Sequence, residues 1–364
     1  MVFFVAKRLM SLKGLVFLAV ILTVGVCKSA AQISPPKDIE PPKDIEIVGV
    51  PLTAWVASRD HALPDTLPDF ATDEARRKNF ASFVQALADK DWNAALVLAS
   101  SLSCQLVAIQ EKGNWFVIAS DHSGAGRDPT IVINLAPRLD AVFEAPHASF
   151  ERGTAEQATV LLRELGGRAA IISGAHRCAS RKFTACDGRT AVCGTLEAYR
   201  DSDPGHNTDA LFHLAHMTLA ERWKNAVVFS LHGMKEDNDG VRTSLIISNG
   251  IRAPDRDQAT FATRLRQGLD SQMTPPGTVV SCNWPADEAY NYRKLCGYTN
   301  VQGRQINGDP NACKESVDQG TGRFIHMEQD WSLLKPYAQN WSQIERHQIG
   351  SSLIKALENI LPPI

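Results

Sequence analysis

The sequence has no surplus of either charge: 38 lysines and arginines stand against 40 aspartates and glutamates, a formal charge of -2. A chain that grips nucleic acid carries a basic patch or stripe, and a chain that lies on a membrane surface carries a long basic run; neither is present. No Gly-x-Ser-x-Gly elbow occurs, because "DHSGAGR" lacks its first glycine, so serine-hydrolase chemistry finds no support. That same stretch lacks the eight-residue spacing of a P-loop, which leaves nucleotide binding without a motif. No cysteine pair has the C-x-x-C spacing, which argues against a structural zinc knuckle. The apolar run "GLVFLAVILTVGV" is about the length of a signal h-region and short for a membrane span.

What is there begins with that run. Lys7, Arg8 and Lys13 precede it and small Ser29, Ala30 and Ala31 follow, so residues 1–31 read as a signal peptide cleaved after Ala31. A lipoprotein acylated at Cys27 fits less well, because bulky Val26 directly precedes that cysteine. The expectation is an exported protein, periplasmic or secreted, with no stable membrane span after processing. Cysteine usage agrees with an oxidising compartment. Beyond Cys27 there are Cys104, Cys178, Cys186, Cys193, Cys282, Cys296 and Cys313, and six of these fall into two local clusters of three. Loop-stapling disulfides are the natural reading, with the pairing left open and at least one thiol free. Cys104, in "SSLSCQLVAI", reads as a core residue, and a cysteine nucleophile does not suit such a chain.

Residues 32–50 hold the exact tandem repeat "PPKDIEPPKDIE", an extended, semi-rigid tether without chemistry. Residues 51–137 read as a small α+β portion. A helix carries Phe80, Phe83, Val84 and Leu87 at i, i+3, i+4 and i+7, and a second follows in "DWNAALVLASSL". The strand-like runs "CQLVAI", "NWFVIAS" and "TIVINLA" come next. From residue 138 to 364, continuous apolar strands alternate with helices: "DAVFEAP", "TAEQATVLLREL", "RAAIISGAH", "TDALFHLAHMTLAERW", "NAVVFSLHG", "TSLIIS", "QATFATRLRQGL", "GTVVSC" and "GRFIHMEQ", then a closing helix. Thr154 and Gln157 suggest a capping box, with Gly166 and Gly167 as the stop. The pattern predicts an α/β fold, a mixed, mostly parallel sheet covered by helices.

Ligands of such folds gather at the carboxyl ends of the strands. His147 ends one strand, His176-Arg177 the next and His232 a third, with Glu151 on the loop after His147. Two histidines and one carboxylate make the usual protein set of a catalytic zinc, whose water falls to a pKa of roughly 7. A carboxylate must then move the proton, and Glu328, acidic within an apolar strand, is the candidate base. Arg177 and Arg200 are the available cations for developing negative charge. His326, two residues before Glu328, shares its strand face and could bond substrate or fill space. His213 and His216 have a metal-compatible spacing but lack the glutamate of H-E-x-x-H. Asp201, Asp203 and His206 could instead orient Arg200 or a ligand histidine.

The segments "PHASFERGTAEQA", "AYRDSDPGHN", "FSLHG", "GYTNVQGRQIN" and "GRFIHMEQ", in that order, resemble the poly-γ-glutamate hydrolases. More distantly they look like zinc carboxypeptidases and N-formylglutamate amidohydrolases. The resemblance spans roughly residues 139–335. It implies a zinc peptidase-like fold, one Zn²⁺ on His147, Glu151 and His232, and Glu328 as general base. It places Arg200 at a substrate-gripping position, with Tyr199 where an asparagine is found in those families. Arg304 and Asn307 would then line the substrate pocket, while His176 and His326 are candidate substrate contacts from their strand positions alone. Three residues separate His147 from Glu151, against two in carboxypeptidases and four in the polyglutamate enzymes. Taken together, the sequence points to an exported zinc amidohydrolase acting on a peptide or a γ-glutamyl-type amide. The alternatives are a non-catalytic binding protein on the same fold and an N-acyl amino acid amidohydrolase.

Overall fold

The computed structural model describes residues 40–70, 72–235, 243–252, 260–270, 278–284, 295–315 and 318–364. The expected signal peptide of residues 1–31, with Cys27, and residues 32–39 of the expected tether lie outside them.

Helices α1 (Leu52–Ala57), α2 (Glu74–Asp89) and α3 (Trp92–Leu102) come first. The α2 periodicity is realised: Phe80, Phe83, Val84 and Leu87 are all buried, and Asp73 caps the helix by accepting from Arg76 N at 2.7 Å. Strands β2 (Cys104–Glu111), β3 (Asn114–Asp121) and β4 (Thr130–Asn134) form an antiparallel meander, with the two-residue β1 (Glu46–Ile47) parallel to β2 at the sheet edge. Then follow β5 (Ala141–Ala145), α4 (Thr154–Leu165), β6 (Ala169–Ile172), the short ribbon β7 (Arg189–Thr190) and β8 (Glu197–Ala198), and α5 (Leu211–Arg222). The rest comprises β9 (Val227–Gly233), β10 (Thr243–Ser248), α6 (Phe261–Asp270), β11 (Thr278–Ser281), α7 (Val301–Ile306), β12 (Phe324–Gln329), α8 (Trp331–Asn340) and α9 (Gln348–Ile360).

Among the described residues, ten strands make one mixed sheet in the order β1-β2-β3-β4-β6-β5-β9-β12-β10-β11. The meander of residues 104–134 joins this sheet through antiparallel pairing of β4 with β6. At its centre β6, β5, β9 and β12 run parallel. Such strands are covered on both faces, and their alternating side chains feed two cores. Phe143, Ala145, Phe229, Leu231, Ile325 and Met327 pack with residues of α1, α4, α6 and α9. Val142, Ile171, Val228 and Phe324 pack with α2, α3 and α5 on the other side.

Three local readings change. The capping box on α4 does not form: Gly153, at φ 95°, is the N-cap, Thr154 Oγ1 donates to Glu151 O, and Gln157 exchanges amide bonds with Gln329. "NVQGRQIN" carries α7, capped by Asn300 accepting from Gly303 N at 2.8 Å. Part of the closing helix is a 3₁₀ turn over Trp341–Arg346, after which α9 begins. Disulfides join Cys178 to Cys193, Cys186 to Cys313 and Cys282 to Cys296, so one bridge links the two cysteine clusters. Cys104 is free and half-buried at the start of β2 rather than in the core, its thiol pushed up to about 12 by burial. Among the described residues, no helix is long and apolar enough to cross a membrane.

Phe143 is fully buried and its ring lies 5.4 Å from that of Phe229. Phe143→Ala is expected to lower the unfolding free energy in urea by about 3–5 kcal/mol. An unchanged midpoint would contradict this account of the sheet core.

Candidate metal centre

Because β5, β6, β9 and β12 are parallel, their carboxyl ends share one edge of the sheet. His147 lies just past β5, where the chain curls so that His147 O accepts from the N–H groups of Phe150 and Glu151 at 2.8 and 2.7 Å. That single turn sets Glu151 beside His147. His232 comes from the end of β9, and Glu328 stands opposite it on β12 in the parallel register.

His147 Nδ1 is 2.8 Å from Glu151 Oε1, His232 Nδ1 is 3.2 Å from Glu151 Oε2, and the two Nδ1 atoms are 3.2 Å apart. Ligands about 2.0–2.1 Å from a tetrahedral zinc stand roughly 3.3 Å from one another. The three groups are 1%, 7% and 3% exposed, so water does not solvate them freely. Each imidazole is also anchored through its far nitrogen: His147 Nε2 to Asp203 Oδ1 at 2.9 Å, and His232 Nε2 to Ser230 Oγ at 2.9 Å. Outer partners of this kind fix ring orientation and aim the inner nitrogen at an ion. Gly233 N adds a bond to Glu151 Oε2 at 3.1 Å. The donor set therefore fits one divalent ion of the zinc type. His147, Asp203 and His206 form a second group of ligand-type atoms. There the Arg177 guanidinium already holds Asp203 Oδ2 at 2.5 and 2.9 Å, which supplies the cation.

The electrostatics follow from burial. Burial and the Arg177 charge both push His147 down, yet Glu151 and Asp203 on its two nitrogens outweigh them and hold it up at about 9. Burial would raise Glu151, but the facing His147 and His232 pull it well below the usual carboxylate range. For Asp203, burial is likewise outweighed by Arg177, His206 and His147, and its carboxyl is held low. His232 is pushed to about 4 by burial, only partly offset by Glu151, and so stays neutral at pH 7. Without a metal, the His147 proton occupies the position of positive charge that an ion would take.

The other expected site residues divide. Arg177 lies within the cluster, bonded to Asp203 and 3.5 Å from Glu151 Oε1, with its guanidinium 5.7 Å from the Phe150 ring. His176 packs edge-on to Phe150 at 5.3 Å, and its Nδ1 accepts from Cys178 N at 3.0 Å. His326 Nε2 is 3.2 Å from Glu328 Oε1. Arg200 is instead bonded to Asp65 at 2.7 Å, Glu197 at 3.0 Å and the Ser180 carbonyl at 3.0 Å. Arg304 is buried against Asp187 and the carbonyls of Tyr298 and Ala312. Asn307 spends its amide on Asn249 O and Thr321 N. His216 pairs with the buried Glu144 at 2.7 Å, and His213 touches Gln302.

Sequence reasoning passed over Ser230. Its spacing of two from His232 on a strand puts both on one face, which was signal enough. It also passed over the stack of Tyr199 on His206, 3.5 Å between centroids and 6° between planes, which joins residues seven apart through an irregular loop.

No family model matches the chain, and no curated protein does. Among solved structures it is similar to an N-formylglutamate amidohydrolase from Ralstonia eutropha JMP134, at 13% identity and a TM-score of 0.35, covering 64% of this chain and 98% of that one. It is also similar to a gene product of Agrobacterium tumefaciens, at 14% identity and a TM-score of 0.35, covering 60% of this chain and 91% of the other.

Ion binding here must displace the His147 proton. In metal-free protein, His147 is raised above its unfolded value near 6.5, so its stabilising contribution is full below about pH 6.5 and disappears as pH rises through about 9. Zinc affinity, read by chelator competition, should run oppositely and rise about tenfold per pH unit over that window. A flat profile would remove His147 from the ligand set. Asp203→Asn leaves buried Arg177 with only the Glu151 carboxylate, 3.5 Å away and already facing His147, and should cost about 3–5 kcal/mol in the unfolding of the metal-free protein.

Proposed function

We propose that this protein is an exported, zinc-dependent hydrolase of amide bonds, acting on a peptide, γ-glutamyl-type or N-acyl amino acid substrate. The observation that carries the reading is the placement of Glu328 directly across the strand pair from His232, at the rim of a three-ligand cluster whose donors stand at zinc-like separations. His147, Glu151 and His232 would hold the ion. When bound there, zinc supplies Lewis acidity, which makes water nucleophilic near neutral pH and polarises the amide carbonyl.

The remaining work falls to the chain. Glu328 accepts a proton from the attacking water and delivers it to the leaving nitrogen, without which the amine departs poorly. Arg177, held by Asp203 and Glu151, contributes a fixed positive charge beside the site where negative charge develops. His176 has its Nδ1 occupied by a backbone N–H, so its Nε2 carries the proton and is the half-buried donor available to a substrate oxygen. Three disulfides support the exported reading, since such bridges persist in oxidising compartments.

The test starts from metal analysis: the purified protein should carry about one equivalent of zinc and His232→Ala should lose it, whereas equal zinc in both removes the assignment. A panel of α- and γ-linked peptides and acyl-amino acids then identifies the scissile bond. Glu328→Gln should retain the metal and lose turnover by a factor on the order of 10² to 10⁴. Zinc held tightly with no turnover across the panel would favour a recognition module instead.

A further inference from the structure

His326 has no task in the scheme above. It lies two residues before Glu328 on β12, so both side chains leave the strand on one face. Its neighbours in register are Ser230 on β9 and Ser248 on β10. The side chain is buried, with its ring 4.4 Å from that of His232 and tilted by 38°. Gly297 closes on the same imidazole: at φ +68°, a Cβ there would stand 2.7 Å from His326 Cγ and 2.9 Å from Nδ1. Only glycine fits, and its position is tied down by Cys296, which is bridged to Cys282.

The bonding of the ring is lopsided. Nε2 lies 3.2 Å from Glu328 Oε1, while Nδ1 is buried with no partner among the described residues. With Glu328 as the base, its carboxylate accepts from Nε2, so Nε2 carries the proton and Nδ1 is a bare acceptor. A ring enclosed this tightly cannot turn to satisfy Nδ1. The enclosure therefore serves the one bond that is made.

Resting on the reading of Glu328 as the base, we infer that His326 is a positioning residue. By engaging Oε1 it fixes the rotation of the carboxylate and leaves Oε2 as the oxygen that takes the proton from water and returns it to the leaving nitrogen. His326 thus acts through Glu328 and does not grip substrate.

The test has a spectroscopic and a kinetic arm. Long-range ¹H–¹⁵N spectra of the zinc-loaded protein should show the Nε2-protonated tautomer of His326, and Glu328→Ala should disturb it. An Nδ1-protonated ring, or one indifferent to Glu328→Ala, overturns the inference. In kinetics, His326→Leu should lower kcat by roughly 10- to 100-fold with KM and zinc content unchanged. His326→Gln, whose amide can reach the same oxygen, should return most of that loss. A loss confined to KM would make His326 a substrate contact, and loss of zinc from both variants would make it a support of the metal; either overturns the inference. Glu328→Gln separates the two layers. If it is inactive with full zinc while His326→Leu keeps wild-type kcat, only the positioning role falls. If Glu328→Gln itself turns over normally, the base assignment falls and takes His326 with it.

Discussion

Two carboxylates almost wholly removed from water flank one imidazole, and the neighbourhood has to supply positive charge for both. Leaving a buried carboxylate uncompensated costs several kcal/mol, so the compensation is a condition of folding as well as of chemistry. Arg177 meets Asp203 with two bonds to one oxygen, while the His147 proton meets Glu151. Replacing that proton by a divalent ion adds one positive charge to the cluster. The four groups therefore pass from neutral to a single positive charge, and it is neutral His232, pushed down by burial, that lets an ion bind without a second proton having to leave.

That balance needs ligands that do not wander, and the sheet provides this. His232 and Glu328 belong to strands whose register is set by six paired positions. Behind them Gln157 and Gln329 exchange reciprocal amide bonds at 2.7 and 2.8 Å, tying the start of α4 to the end of β12. The same α4 begins directly after the loop that carries Glu151. The candidate ligand Glu151, its backbone support at Gly233 and the proposed base across the strand are therefore fastened to one rigid frame, as a catalytic constellation requires.

The parts that were legible in the sequence are those governed by local periodicity. Apolar runs ending in His147, His176 and His232 identified strands whose carboxyl ends share one edge of the sheet, because parallel strands buried on both faces leave little else to read. Phe80 to Leu87 declared α2 for the same reason. What escaped depends on partners distant in the chain. Gln157 has the spacing of a capping box and yet bonds to Gln329, 172 residues away, since a buried amide takes the partner that satisfies both of its ends. Arg200 and Arg304 carry the charge a substrate site needs, but nothing local reveals that Asp65 and Asp187 hold them. The Cys186–Cys313 bridge, spanning 127 residues, is equally invisible to spacing.

Those arginines and bridges have a common use. The loop from Gly174 to Asn207 carries Arg177, Asp203 and His206, yet its regular structure amounts to the β7–β8 ribbon and one 3₁₀ turn. A segment of that kind makes too few backbone bonds to hold a charged cluster in place unaided. Cys178–Cys193 closes a local loop of 15 residues, which on a chain-entropy account withdraws roughly 3 kcal/mol from the unfolded ensemble. Cys186–Cys313 fastens the loop to the segment after α7, where Arg304 clamps Asp187 from within the protein. Arg200 ties the far end to Asp65 and to the Ser180 carbonyl. Covalent bridges and buried guanidinium forks thus stand in for the sheet where the sheet ends. Arg200 and Arg304 spend their charge on Asp65, Glu197 and Asp187, and Arg177 alone of the three lies against the candidate ligands.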